Sequence, residues 1–413
     1  MRVAKPIPRQ PVLELADLRQ RPAGIPSLFD LPNRLLTHSG RSAILLALQA
    51  LEIRCGDRVL VPTYHCPTMI APVEKLGATP VFYPITEHGL PNLPQVEMRD
   101  PTGVKAMLVP HLFGLPRSLV AVASFCRAYG IALIEDCAHC FFGMADDVPV
   151  GTTGDFAIGS LPKFFPVAQG GILASAVRPL PVLLSSCPRV ADELLAVWDT
   201  IDIATKHGRL RSLSAATRVV SRLRQRYVRR PRQRPEDAVD RSGDTARAQS
   251  LSDPLLCPVP IRRTEAFISS HSDMAANAQR RRTNYASIVS ELSDLVGARP
   301  VFPQCGRYSA PYAVPLLVTD ADHAYARMRR AGLPVFRWDR LWYGTPVFND
   351  DATQKWAHCL VQVACHQSLR QGELTELCAT LRAIVDEKHA FARGRVAELD
   401  ASADCDGTSK HGT

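Results

Sequence analysis

The sequence predicts an α/β protein: a mainly parallel sheet covered by helices on both faces, followed by a smaller α+β unit. Three observations carry this expectation. Between Cys55 and Gly130, short apolar runs alternate with helical stretches. The runs are continuously apolar rather than alternating, as expected for strands buried on both faces. From Arg262 to about Val385 the pattern changes to mixed helices and strands. At 413 residues the chain is long enough for two or three domains, and its 46% hydrophobic content allows a large core.

In chain order, residues 1–33 are Pro-rich with little periodicity and read as an arm lying on the surface or on a neighbour. His38-Ser39-Gly40-Arg41-Ser42 precedes AILLALQAL, so Ser39 or Gly40 is placed to cap a buried helix. Such a turn can also bind phosphate, because free N–H groups and the positive dipole end meet there. Taken alone, the motif is better read as an ordinary capped helix. Strands are expected at Arg58–Pro62, Thr79–Ile85, Val104–Pro110 and Ile131–Glu135, with helices at Pro67–Leu76 and Ser118–Tyr129. Ligands bind at the C-terminal ends of such strands. Thr63-Tyr64-His65-Cys66, His111 and Asp136 follow strand ends and are expected on one rim.

In the later part, Arg263–Leu292 reads as largely helical, and Tyr312–Val318, Val335–Trp338 and Leu360–Ala364 as strands. Helices are expected at Ala321–Ala331 and Gly372–Val385. Residues 397–413 are small and polar and are expected to be disordered.

The stretch from Ile131 to Ser175 carries the chemistry. An apolar run ends in Glu135-Asp136, a second leads through Phe156–Gly159 to Ser160 and Lys163, and Gly170-Gly171 opens a third. A carboxylate at a strand end can keep a pyridine nitrogen protonated, and a nearby lysine can form a Schiff base, which together suggest pyridoxal 5'-phosphate (PLP). Lysine usage sharpens this. Only eight of the 49 basic residues are lysines, and Lys163 sits among Leu161, Pro162, Phe164, Phe165 and Pro166. An apolar setting favours a neutral, nucleophilic amine, although a lysine snorkelling from an apolar loop has the same neighbours.

Charge is unevenly placed. The formal net charge is +9, but residues 206–234 hold eleven Lys and Arg and no Asp or Glu; the remaining 38 basic and 40 acidic residues nearly cancel. Within this segment Leu210, Leu213, Val219, Val220 and Leu223 could form one face of a basic amphipathic helix, and the chain beyond Pro231 reads as disordered. A solvated insertion is favoured. Weak contact with a membrane surface through 206–234 comes second. Nucleic-acid binding is disfavoured, because no recognised module or interleaved aromatics accompany the charge. The start, MRVAKPIPRQPVLEL, lacks a secretory apolar stretch, so a cytoplasmic location is expected and the twelve cysteines read as thiols.

With these residues in view, the chain resembles the DegT/DnrJ/StrS family of PLP-dependent sugar aminotransferases, well over 35–180 and more loosely over 260–385. Its Ser-Gly-Thr-Ala-Leu element appears as Ser39-Gly40-Arg41-Ser42-Ala43, and its "HLYG" as His111-Leu112-Phe113-Gly114. Its "IEDAAQ" is Ile134-Glu135-Asp136-Cys137-Ala138-His139, and its "GD…S…K…GG" is Gly154-Asp155, Ser160, Lys163 and Gly170-Gly171. The resemblance implies PLP fold type I, with a mainly parallel seven-stranded sheet and a smaller C-terminal α+β domain. It divides the chain into an arm (1–33), a PLP-binding domain (34–205), a basic, partly disordered insertion (206–255), a small domain (256–390) and a disordered tail (391–413).

For the site, the resemblance implies Lys163 as Schiff-base lysine and proton carrier, and Asp136 as partner of the pyridinium nitrogen. Gly40, Arg41, Ser42 and Ser160 would surround the phosphate, His139 would replace a glutamine beside the ring, and Tyr64 or His65 would stack on it. The implied partners are an amino donor, with glutamate expected, and a keto group of a nucleotide-linked sugar; a homodimer is also implied. Departures are Arg41 for threonine, Cys66 at the usual aromatic position, Pro260 in place of an asparagine that reaches the partner subunit, and the basic insertion.

Other classes compete. Cys137, His139 and Cys140 with His65-Cys66 could be taken for zinc ligands, but the cluster directly follows Asp136 on a strand end, and no metal is expected. A sugar dehydratase would carry histidine at the lysine position. A non-catalytic scaffold of the same fold would keep its role without Lys163.

Overall fold

A computed structural model describes residues 6–14, 18, 24–183, 189–217, 220 and 243–386. Its centre is a seven-stranded sheet built from β1 (Asn33–Thr37), β2 (Arg58–Pro62), β3 (Thr79–Tyr83), β4 (Val104–Pro110), β5 (Ala132–Asp136), β8 (Phe156–Ser160) and β9 (Gly171–Ser175), with β6 (Met144–Ala145) and β7 (Val148–Pro149) forming a separate small hairpin. The spatial order is β1-β9-β8-β5-β4-β2-β3. From β3 to β8 every pairing is parallel; β9 runs antiparallel to both neighbours. The expected mainly parallel, seven-stranded sheet is therefore present.

Helices cover both faces. On one side α1 (Gly40–Ala50) and α2 (Pro67–Lys75) bury Ile44, Leu48, Ile70 and Val73 against Val59, Val61 and Ile134. On the other, α4 (Val120–Tyr129), which follows the short α3 (Leu93–Glu97), contributes Val122 and Cys126 to a core continuous with the C-terminal unit. That unit has an antiparallel sheet of β10 (Ala298–Pro300), β11 (Ala313–Val318), β13 (Leu360–Ala364) and β12 (Val335–Phe336), in this order. The helix Met274–Glu291 and the helical stretch 371–386 pack on it.

Two close approaches place the site. A Cβ on Gly171 would lie 2.2 Å from the Ser39 carbonyl oxygen, so only glycine lets β9 pass against the start of α1. The Phe113-Gly114 turn has φ of 60° and 75°, and a Cβ on Gly114 would meet the Tyr312 nitrogen at 2.3 Å. There Tyr312 N–H donates to the Phe113 carbonyl (2.8 Å), locking the two sheets together.

Several stretches differ from the sequence expectation. Residues 33–37 form β1 at the sheet edge; with Leu35-Leu36 as its apolar core, its sequence alone gives little strand signal. The arm is anchored: Ile7 and Val12 are buried, and Val12 N–H donates to Ser368. A 17-residue helix, α5 (Val190–Lys206), precedes the basic segment. In the expected amphipathic face, Leu210 is buried beside Leu13 and Ala204, whereas Leu213 and Val220 are exposed; Val219 and Leu223 lie outside the described residues. Part of the stretch expected to be disordered is ordered: Gly243–Leu251 is helical and packs on α2. The tail 391–413 lies outside the described residues. Among those described, no helix is long and apolar enough to cross a membrane.

Candidate active site

A cavity of about 360 Å³ opens where β4, β5 and β8 end. Its floor is Asp136, the last residue of β5, paired in register with Pro110 of β4 and Ile158 of β8. Asp136 Oδ1 accepts the Ala138 N–H at 2.8 Å. Burial pushes its pKa above the usual aspartate range, only partly offset by Lys163 and the Ala138 N–H. A buried carboxylate this poorly compensated is suited to a cationic partner in the cavity.

Lys163 ends a single 3-10 turn, Leu161–Lys163, directly after β8. Its ammonium lies 5.5 Å above the Tyr312 ring. Burial lowers its pKa, opposed by Asp136 and reinforced by Arg41, and this favours the free amine. The loop is held from three sides. Phe164 and Phe165 are fully buried among Phe141 and Phe142. Gly170, at φ 136°, closes the loop by accepting the Leu161 N–H and donating to His38. Arg281 and Gln367 hold its backbone: Arg281 donates to the Lys163 carbonyl (2.7 Å) and Gln367 to that of Phe164 (2.7 Å).

Arg281 is fully buried and, among the described residues, pairs with no carboxylate; its other donors reach Gln367 (2.7 Å) and the Pro311 carbonyl (3.0 Å), and burial lowers its pKa to about 10. Nothing in the run Gln279-Arg280-Arg281-Arg282 singles this arginine out. Only the fold does.

His139 lines the opposite wall, stacked on Tyr312 at 4.3 Å and 5.0 Å from Trp338. Burial and the Lys163 charge depress its pKa well below the usual histidine value, so it is neutral, and its Nδ1 is buried without a hydrogen bond. His111 also lines the cavity. Its Nε2–H donates to Glu135 (3.1 Å), whose carboxylate also accepts the N–H groups of Gly151, Thr153 and Gly154. Burial opposes the Glu135 charge, but these donors keep its pKa below the usual value. His111, Glu135 and Cys137 lie close enough to share a metal ion, yet Glu135 is already fully engaged by donors.

At the other end, Ser39 caps α1 by accepting the Ser42 N–H (3.1 Å). Gly40, Arg41 and Ser160 line the cavity beside this helix start. Arg41 is ion-paired with Asp253, and the Ser39 hydroxyl donates to the Leu255 carbonyl. An amine whose pKa burial lowers, a buried carboxylate with a single N–H donor from Ala138, a buried ring nitrogen without a hydrogen bond and a helix start bearing Arg41 thus fit the aldehyde, ring and phosphate ends of PLP.

Three candidate positions are placed differently. Ser42 is fully buried, its hydroxyl turned back to the Ser39 carbonyl (2.8 Å). Tyr64 is enclosed between Trp338 and Trp356 within the core. His65 donates through Nδ1 to the Pro62 carbonyl (2.9 Å) and accepts the Trp342 N–H at Nε2 (2.9 Å); burial lowers its pKa to about 4. Both ring nitrogens are used inside the protein, so His65 is a structural anchor. Cys66 takes the place on the cavity wall.

Most of the cavity lining falls in the stretch that matches known proteins. Residues 32–176 match the DegT/DnrJ/EryC1/StrS aminotransferase family. The resemblance is borne out over that stretch. A UDP-N-acetyl-3-dehydro-alpha-D-glucosamine 3-aminotransferase of Acidithiobacillus ferrooxidans is 34% identical over 148 residues, 33% of this chain and 38% of that one. A GDP-perosamine synthase of Vibrio cholerae is 28% identical over 158 residues, 38% of this chain and 42% of that one. The matched part thus spans about two fifths of these curated relatives. In three dimensions the likeness is broader. A Streptococcus pneumoniae chain solved in its PMP form aligns with a TM-score of 0.61 at 15% identity, covering 94% of this chain and 100% of that one. The fold is that of the type I PLP-dependent transferases, and most residues lining the cavity fall within the DegT/DnrJ/EryC1/StrS stretch, whereas Gln10, Leu255 and Trp338 lie outside it.

Proposed function

We propose that the protein is a PLP-dependent aminotransferase that moves an amino group, with glutamate as donor, to a keto group of a nucleotide-linked sugar. The observation that carries this is the pairing, in one cavity, of an amine whose pKa burial lowers with a carboxylate whose pKa burial raises. PLP, when bound, supplies an electron sink for negative charge developing on the substrate carbon. Asp136 holds a proton on the ring nitrogen, because its buried charge lacks another full partner. Lys163 would hold the cofactor by its aldehyde end and would be the group that moves a proton at the substrate carbon. Neutral His139, whose buried Nδ1 has no hydrogen bond, would lie beside the ring. Arg41, Ser160 and the N–H groups opening α1 hold the phosphate.

Relatives that act on UDP- and GDP-linked sugars support a nucleotide-sugar acceptor. A homodimer, which rests on the resemblance, and a cytoplasmic location are part of the same proposal. The test is incubation of PLP-loaded protein with glutamate and a panel of nucleotide-linked keto sugars, followed by mass spectrometry. An amino-sugar product formed together with 2-oxoglutarate supports the assignment. Loss of no amino group from any donor, with Lys163→Ala equal to wild type, would leave a scaffold of this fold.

A further inference from the structure

The anion end of the cavity is closed by a segment far away in sequence. Leu255 lines the cavity, and its carbonyl accepts the Ser39 hydroxyl at the start of α1. Two residues earlier, Asp253 is ion-paired with Arg41, on the first turn of the same helix. Asp253 also caps the 3-10 turn Pro254–Leu256 by accepting the Leu255 N–H at 3.0 Å. The preceding helix is tied to α2 by Arg247, which donates to Glu74 at 2.6 Å. Glu74 also accepts the Trp342 indole N–H (2.8 Å), and Trp342 N–H reaches His65. Leu256 and Trp342 are buried in the same cluster as Ile70 and Ala71 of α2. The strap 247–256 and the segment bearing Trp342 are therefore both pinned to α2, and Leu255 of the strap lines the cavity.

Resting on the PLP assignment above, we infer that this strap closes the phosphate end within one chain, and that Asp253 is a resident counter-ion which a bound phosphate displaces from Arg41. The chemistry is direct. The start of α1 is already electropositive, and Arg41 adds a full charge beside it. Asp253 neutralises that charge when no phosphate is present. A phosphate offers three acceptor oxygens and up to two negative charges, so it competes for the guanidinium better than one carboxylate can. Displacement frees Asp253 and loosens the strap at its cavity-facing end, while Arg247–Glu74 holds the other. Phosphate binding is thereby coupled to the residues that follow the basic segment.

The experiment is a fluorescence titration of the full chain with PLP and, separately, with inorganic phosphate, combined with hydrogen exchange over 247–256. Asp253→Asn keeps the acceptor for the Leu255 N–H but removes the charge. It is expected to tighten binding of both ligands by about threefold or more. Arg41→Gln is expected to weaken both by about tenfold and, in the double variant, to abolish the gain from Asp253→Asn. Exchange in 247–256 of the wild type is expected to rise when either ligand binds. Equal affinity of wild type and Asp253→Asn, or the same gain in the Arg41→Gln background, would overturn the inference while leaving the PLP assignment intact. Failure of every form, wild type included, to bind PLP would overturn the assignment of the cavity and the inference with it.

Discussion

The two ends of the cavity are built differently. The ring end comes from one compact stretch: Asp136, His139 and Lys163 lie within 28 consecutive residues, on neighbouring strand ends. The anion end needs Ser39–Arg41 and a strap more than 200 residues later, joined by the Arg41–Asp253 and Ser39–Leu255 contacts. The difference teaches that chemistry can be fixed by local topology while access and electrostatic tuning are left to inserted chain. A parallel sheet brings successive strand ends to one rim whatever the loops do. A strap has no such constraint, and its ion pair is partly exposed and easily exchanged.

The sharpest way to break the ring end is Asp136→Ala. Removing a buried charge aimed at the reacting group is expected to lower turnover on the order of 10³-fold, with PLP still bound; unchanged kcat would remove Asp136 from the mechanism. Next comes Arg281→Ala, which leaves the Lys163 and Phe164 loop without its main support. A loss of about 3 kcal/mol in urea unfolding is expected, because three acceptors lose a buried charged donor. A stability within error of wild type would show that the phenylalanine cluster alone holds the loop.

Glu265 probes the seam between the lysine loop and the helix Arg263–Ser270. Its Oε1 accepts the Gln169 N–H (3.2 Å), Oε2 is buried without a partner, and burial raises its pKa to about 7. The folded carboxyl therefore binds its proton more tightly than the unfolded one. Its contribution to stability is fully present below about pH 4.5 and is lost as pH rises to about 7. Glu265→Gln is expected to remove that slope and stabilise the protein by about 2 kcal/mol at pH 8, as read from unfolding curves across pH. An unaltered slope would place the titration elsewhere. The smallest effect is expected at the anion end. Ser39→Ala should cost about 1 kcal/mol from the lost cap and leave the Leu255 carbonyl without its donor.

Much of the seven-stranded layer was legible because apolar runs and glycine stops recur with a strand-helix rhythm. Asp136 and Lys163 were legible because their residue types are unusual for their surroundings. The strand-end rule was too coarse for the segment after β2: Tyr64 and His65 follow a strand end as Asp136 does, but Trp338, Trp342 and Trp356 claim them for the core. Those partners lie some 270 residues away, beyond any local pattern. Arg41–Asp253 and Arg281–Lys163 were hidden for the same reason. Each joins an ordinary-looking charged residue to a distant segment, and only packing decides which arginine of several is buried.

The most direct test of the central claim is borohydride reduction of the PLP-treated protein followed by peptide mapping. A pyridoxyl label at about one per chain, confined to the peptide containing Lys163 and lost in Lys163→Ala, is the predicted result. No label, or a label spread over lysines such as Lys75 and Lys105, would contradict the assignment of this cavity as a PLP site.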